Sequence, residues 1–155
     1  MLAMPTLAEL CTDPPAAIRP DARLDAALEL LVARETTELY VVDDDGRLLG
    51  VVPDYELLKV RLSGDWAELA VGQLASPALL CFAAQTPFGE ALRAFREGRH
   101  SRAAVVDGGR LIGQVTRTSL LRYIRDEHRP TPPRPKLLRS ELARNAAVLR
   151  NAFLG

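Results

Sequence analysis

The sequence is poor in the side chains that do chemistry. Its two cysteines, Cys11 and Cys81, have no metal-ligand spacing, and its two histidines, His100 and His128, have no second ligand at i+3 or i+4, so no metal site is expected. Cys81 falls in an apolar stretch, which predicts a small buried hydrophobe, and a disulfide to Cys11 would need an oxidising compartment that nothing here suggests. Ser and Cys occur without a His and acid constellation, and Asp43-Asp44-Asp45 lacks the length and terminal Glu of a calcium loop. One Trp, three Tyr and four Phe are too few for a nucleic-acid stacking platform, and Trp66 reads as a packing residue. The N-terminus lacks the charged start and apolar run of a signal peptide, and no uninterrupted apolar stretch approaches membrane-spanning length. A cytoplasmic, non-enzymatic protein is expected, with neither nucleic acid nor membrane as partner.

Net charge is absent too, with 20 basic residues against 20 acidic, but the balance is uneven along the chain. Residues 129–155 carry six Arg or Lys and one acid, a local +5, which leaves −5 on residues 1–128 and marks the tail as a separate piece.

What is present is a duplication. Residues 41–50 read Val-Val-Asp-Asp-Asp-Gly-Arg-Leu-Leu-Gly, and residues 105–113 read Val-Val-Asp-Gly-Gly-Arg-Leu-Ile-Gly, the same string one residue shorter in the turn. Upstream, Leu24, Ala27, Leu28 and Leu31 fall on Phe88, Ala91, Leu92 and Phe95 at an offset of 64; downstream, Leu57 and Leu58 fall on Leu120 and Leu121 at an offset of 63. Two halves of about sixty residues could each bury little alone, so one shared core is expected.

Leu24, Ala27, Leu28 and Leu31 are spaced as one helical stripe, with Asp21 as the expected N-cap. Leu39–Val42 and Leu48–Val52 then predict a hairpin around an Asp-Gly turn, followed by a helix over 54–62. The second copy predicts a helix with Pro87 in its first turn and Gly98 at its end, then a hairpin of 103–106 and 110–115. Trp66–Leu74 predicts a connecting helix. Pro-Thr-Pro-Pro-Arg-Pro at 130–135 favours extended polyproline geometry, and Leu138, Leu142, Ala146, Leu149 and Phe153 beyond it form the stripe of a basic amphipathic helix.

In order, each copy has an amphipathic helix, a strand ending Val-Val-Asp, a Gly-containing turn, a strand entering Gly-h-h and a helix carrying Leu-Leu. Each therefore resembles a CBS domain, and the tandem is similar to the pair called a Bateman module. The resemblance implies an α+β fold of two pseudo-twofold-related repeats, each a small β-sheet packed with helices: repeat 1 over 4–62, repeat 2 over 66–127, and a linker and helical extension over 128–155. It also implies a homodimer joined through helical faces, a regulated protein partner, and an adenosyl ligand such as AMP, ADP, ATP or S-adenosylmethionine between the repeats.

Ligand-binding CBS domains carry Gly-h-h-Thr/Ser-x-x-Asp at the start of the last helix, where hydroxyl and N–H groups suit phosphate and the carboxylate suits ribose. Repeat 1 offers Gly50-Val51-Val52-Pro53-Asp54-Tyr55-Glu56, which loses the hydroxyl and keeps an acid; repeat 2 offers Gly113-Gln114-Val115-Thr116-Arg117-Thr118-Ser119, which keeps the hydroxyl and loses the acid. By resemblance, Thr116, Thr118 and Ser119 would face Thr12, Ala17, Thr36 and Thr37, with Arg117 as a phosphate partner. A second, degenerate site would set Glu56 and Tyr55 against Ser76, Cys81, His100 and Ser101. The bland alternatives are that Thr116 caps its helix, Glu56 is a first-turn acid and Arg117 is solvated. The function expected is a non-catalytic regulatory module sensing an adenosyl nucleotide; the alternative is a scaffold without ligand, acting in dimerisation or partner docking. The tail could lie on a membrane, touch nucleic acid or dock on protein, and protein docking is favoured.

Overall fold

The computed structural model describes residues 4–11, 14–77 and 80–128. Residues 1–124 form one compact unit; of the second, 125–155, only the segment up to His128 is described. The proline-rich linker and basic helix expected beyond it, and Thr12, lie outside the described residues.

Each repeat contributes the same succession. The first runs α1 (Leu7–Leu10), β1 (Ala17–Ile18), α2 (Leu24–Arg34), β2 (Glu38–Val42), β3 (Leu48–Pro53) and α3 (Asp54–Ser63). The second runs α4 (Val71–Leu74), β4 (Cys81–Ala83), α5 (Phe88–Phe95), β5 (Arg102–Asp107), β6 (Arg110–Thr116) and α6 (Arg117–His128). Both sheets have three strands, β1-β2-β3 and β4-β5-β6, in which the first strand pairs parallel to the second and the second pairs antiparallel to the third. This is the expected α+β architecture.

The repeats exchange their first helices. Leu7 of α1 is fully buried with Ala84, Phe88, Phe95, Val105 and Val115 of the second repeat, while Val71 of α4 is buried with Leu24, Leu31, Leu39 and Val52 of the first. The backbone follows the same rule with twofold regularity: the Leu7 and Ala8 N–H groups donate to Thr86 O and Ala84 O, and those of Val71 and Gly72 donate to Ala22 O and Pro20 O. Such pairing also explains why α2 starts later than its sequence suggests. Arg23, not Asp21, is the N-cap, because the chain from Pro20 to Arg23 is occupied as the rail that receives α4, with Arg23 bridged to Ala70.

There are accordingly two cores rather than the one expected, each holding a single helix of the other repeat. A third, small cluster of Tyr40, Val51 and Ala104 lies between the sheets. At the far end the hairpin tips pair across the pseudo-axis: Leu48 N donates to Gly109 O, and Leu111 N to Gly46 O, both at 3.0 Å. The glycines that open the Gly-h-h strands mark where the other repeat's chain crosses. A Cβ on Gly50 would meet Ser76 O at 2.7 Å, and one on Gly113 would meet Cys11 Cβ at 2.8 Å.

Three further expectations change. Leu28 leaves the buried stripe and is 42% exposed, because Leu24, Ala27 and Leu31 already fill the face of α2 turned to the sheet. Cys81 is exposed at the start of an edge strand rather than buried, and it and the half-buried Cys11 are both free thiols. The connecting helix is confined to Val71–Leu74, since residues 66–68 make turns before the chain enters its pairing with Pro20–Arg23. Among the described residues, no helix is long and apolar enough to cross a membrane.

Candidate functional site

The strands β2 and β5 begin at equivalent positions, Glu38 and Arg102, and the pseudo-twofold relation sets these side by side across the repeat boundary. Arg102 Nη1 donates to Thr36 Oγ1 at 2.6 Å and Nη2 to Thr37 Oγ1 at 3.3 Å. Its Nε lies 3.4 Å from Glu38 Oε1, close enough for ion pairing, but this nitrogen makes no aligned hydrogen bond. One guanidinium thus ties the entry of β2 to the entry of β5.

Around that pair opens a cleft of about 130 Å³ lined by Glu38, Tyr40, Leu80, Arg99, His100, Ser101 and Arg102. Tyr40 is 2% exposed, and its hydroxyl has no hydrogen-bond partner among the described residues, which is a costly state for a buried polar group. Burial raises the Tyr40 hydroxyl pKa, and the neighbouring Glu38 carboxylate adds to the rise. Burial also raises the Glu38 carboxyl above its ordinary value; Arg102 and His100 oppose that rise, and Asp54 reinforces it. The cleft therefore combines an imperfectly satisfied guanidinium, a second arginine, a histidine and an unused buried hydroxyl, a set suited to an anionic oxygen ligand, with the Glu38 carboxylate opposing it.

At the start of α6, Thr116 and Ser119 satisfy each other. Thr116 N donates to Ser119 Oγ at 2.8 Å, Ser119 N donates to Thr116 Oγ1 at 3.1 Å, and Ser119 Oγ donates to Thr116 O at 2.8 Å. This is a reciprocal cap. Thr116 is the Cα partner of Arg102 across β5 and β6, so the capped turn adjoins the residue that holds Thr36 and Thr37. The guanidinium that reaches those threonines belongs to Arg102, not to Arg117. Arg117 is exposed and lines an apolar groove with Leu92, Phe95, Leu120, Leu121 and Ile124, while Thr118 is exposed beside it and Ala17 pairs with Tyr40 at the sheet edge.

The residues expected for the degenerate site are scattered. His100 and Ser101 line the cleft, Ser76 bridges to Val51, and Cys81 lines a different notch with Leu48, Leu49, Pro77, Val106 and Gly109. Lys59 gathers Glu56 and Tyr55 instead: its Nζ lies 3.1 Å from Glu56 Oε1 and 4.9 Å from the Tyr55 ring centroid. Glu38, Tyr40 and Arg102 escaped the sequence reading. The only signal for them was a charge inversion at one repeat position, Glu38 against Arg102 at an offset of 64. Among the described residues, no group of three or more His, Cys, Asp or Glu could hold a metal ion.

The sequence profile of the CBS domain matches residues 7–63 and again 71–126. The chain is 33% identical to the chloroplastic CBS domain-containing protein CBSX2 of Arabidopsis thaliana, over 68% of this chain and 56% of that protein, so it spans a little over half of the plant protein's length. A CBS domain-containing protein of Dictyostelium discoideum is 32% identical, over 73% of this chain and 86% of its own. Among solved structures, CBSX2 in complex with AMP superposes with a TM-score of 0.69 at 33% identity, covering 80% of this chain and 98% of that one.

Proposed function

Because the chain belongs to the CBS domain family and carries two of its repeats, we propose that it is a non-catalytic regulatory module that senses an adenosyl nucleotide between them. The observation that supports this most is the inter-repeat cleft, which Arg102, Arg99 and His100 line together with Tyr40, whose hydroxyl has no hydrogen-bond partner among the described residues. The AMP complex of the related CBSX2 supports the ligand class. In this reading the phosphate lies between Arg102 and the start of α6, where it must displace the Thr116–Ser119 cap to reach the Thr116 hydroxyl and the Ser119 N–H. AMP, ADP, ATP and S-adenosylmethionine are the candidates. At about 130 Å³ the cleft is smaller than the roughly 300 Å³ at which ordinary small-molecule pockets begin, so ligand entry requires side chains to move.

One observation favours the second reading, a scaffold without ligand. The Thr116 and Ser119 hydroxyls are already spent on each other, which is what a purely structural cap needs. Thermal-shift measurement with each candidate nucleotide separates the two, because a ligand bound only by the folded state raises apparent stability by mass action. A concentration-dependent rise with at least one nucleotide is expected, and no rise at millimolar concentration of any would leave the scaffold.

The module is further proposed to pair with a second copy through its helical faces. Leu28, Val32, Leu58 and Leu62 are exposed on α2 and α3, and Leu121 is exposed on α6 at the position equivalent to Leu58. Leu28, Leu57, Leu58 and Trp66 line an apolar groove of about 460 Å³, which a matching helix could fill. Light scattering should report twice the chain mass, and Leu58→Asp with Leu62→Asp should return it to the single-chain value; an unchanged single-chain mass for the wild type at every concentration removes the pairing.

A further inference from the structure

Glu38 and Arg102 are the same position of the repeat carrying opposite charge, and the fold makes them neighbours. Arg102 lines the cleft with its side chain largely buried, and all three of its nitrogens face protein: Thr36, Thr37 and Glu38. The arrangement is not tightly closed. Nε faces the carboxylate at 3.4 Å without an aligned hydrogen bond, and the Tyr40 hydroxyl beside it is buried and unused.

We propose that Glu38 is an internal competitor for Arg102 that sets the charge class of ligand the cleft accepts: a phosphate must take the guanidinium from Glu38, Thr36 and Thr37, and then lies beside the released carboxylate. The inference rests on the nucleotide-sensing reading and deepens it. Two consequences follow from the charges alone. Anionic ligands lose part of their attraction to Arg102 in replacing a partner it already has, and every further phosphate adds repulsion from Glu38. The other charged groups near this exchange are Arg99, itself 3.9 Å from Glu97, and His100 from the approach to β5, and Asp54 from the start of α3. Glu38 thus favours adenosyl compounds with few phosphate charges over ATP. It also links occupancy to the repeat boundary, because the bonds that the ligand breaks are those joining β5 to the entry of β2.

Calorimetric titration of the full chain with adenosine, AMP, ADP and ATP tests this against Glu38→Gln. The variant should bind AMP roughly 5-fold more tightly or better, ATP by a larger factor, and adenosine unchanged. Glu38→Asp, which keeps the charge on a shorter stem, should fall between and guards against a variant that folds poorly. AMP binding to the wild type with no gain in Glu38→Gln, or an equal gain for adenosine, overturns the competitor role while leaving nucleotide sensing intact. If no adenosyl compound binds either protein, the sensing reading fails, and inorganic phosphate becomes the probe. A rise in melting temperature with phosphate for Glu38→Gln alone supports the competition, and equal responses of both proteins overturn it.

Discussion

At the scale of single residues, burial decides more than hydrophobicity. Leu24 and Leu28 sit one turn apart on α2, but Leu24 is 0% exposed and Leu28 lies at the rim of an open groove. Leu24→Ala should therefore cost about 2 to 5 kcal/mol in denaturant unfolding, whereas Leu28→Ala should cost far less. Equal losses would mean that Leu28 is covered in solution, as it would be at a dimer face. Glu38 makes a prediction of opposite character. Its folded-state pKa is raised, chiefly by burial, so the proton binds the folded chain more tightly than the unfolded one. That contribution is fully present below the ordinary value of 4.5 and is lost as pH rises through the folded value. In Glu38→Gln this falling component should vanish from the stability profile just above pH 4.5, and a profile identical to the wild type would show that the carboxyl does not titrate abnormally.

At the scale of elements, the crossing of one repeat's entry segment over the other's β3 or β6 explains the glycine in the repeated string. Gly50 and Gly113 are both buried, and an added Cβ would press against backbone at Ser76 or against the Cys11 side chain. Gly50→Ala and Gly113→Ala should each destabilise by about 1 to 3 kcal/mol through overpacking. Gly50→Ala should be the worse, because a carbonyl oxygen held in the Val51–Ser76 bridge yields less than a cysteine side chain. Melting temperatures of the two variants decide the order. The hairpins, by contrast, were legible beforehand. Strands expected at 39–42 and 48–52 occur as Glu38–Val42 and Leu48–Pro53, since short apolar runs and Asp-Gly turn chemistry act locally.

At the scale of the whole molecule, the exchange of α1 and α4 should make the two cores unfold together, although they are separate clusters. Calorimetry should give one transition for residues 4–128. The sharper test is Leu7→Ala. This residue precedes the first repeat's strands, yet it is buried with Phe88, Phe95 and Val115, so amide protection should fall more in β5 and β6 than in β2 and β3. Protection lost only in the first sheet would refute the exchanged packing.

The sequence by itself determined the duplication, the kind and order of most elements and the family, because these rest on periodicity and turn residues that operate within a few positions of one another. It also placed Thr116 and Ser119 together, being three residues apart at a helix start. Only the tertiary structure decided which repeat each short helix serves, why Gly50 and Gly113 are glycines, and which cation meets Thr36 and Thr37. Arg102 lies 66 residues from Thr36, and the sequence pattern offers only Arg117, beside Thr116, as a phosphate partner. The physical reason is that a pseudo-twofold axis pairs equivalent positions of the two copies, so Glu38 meets Arg102 and Arg47 bridges to Arg110 through relations that no local pattern carries.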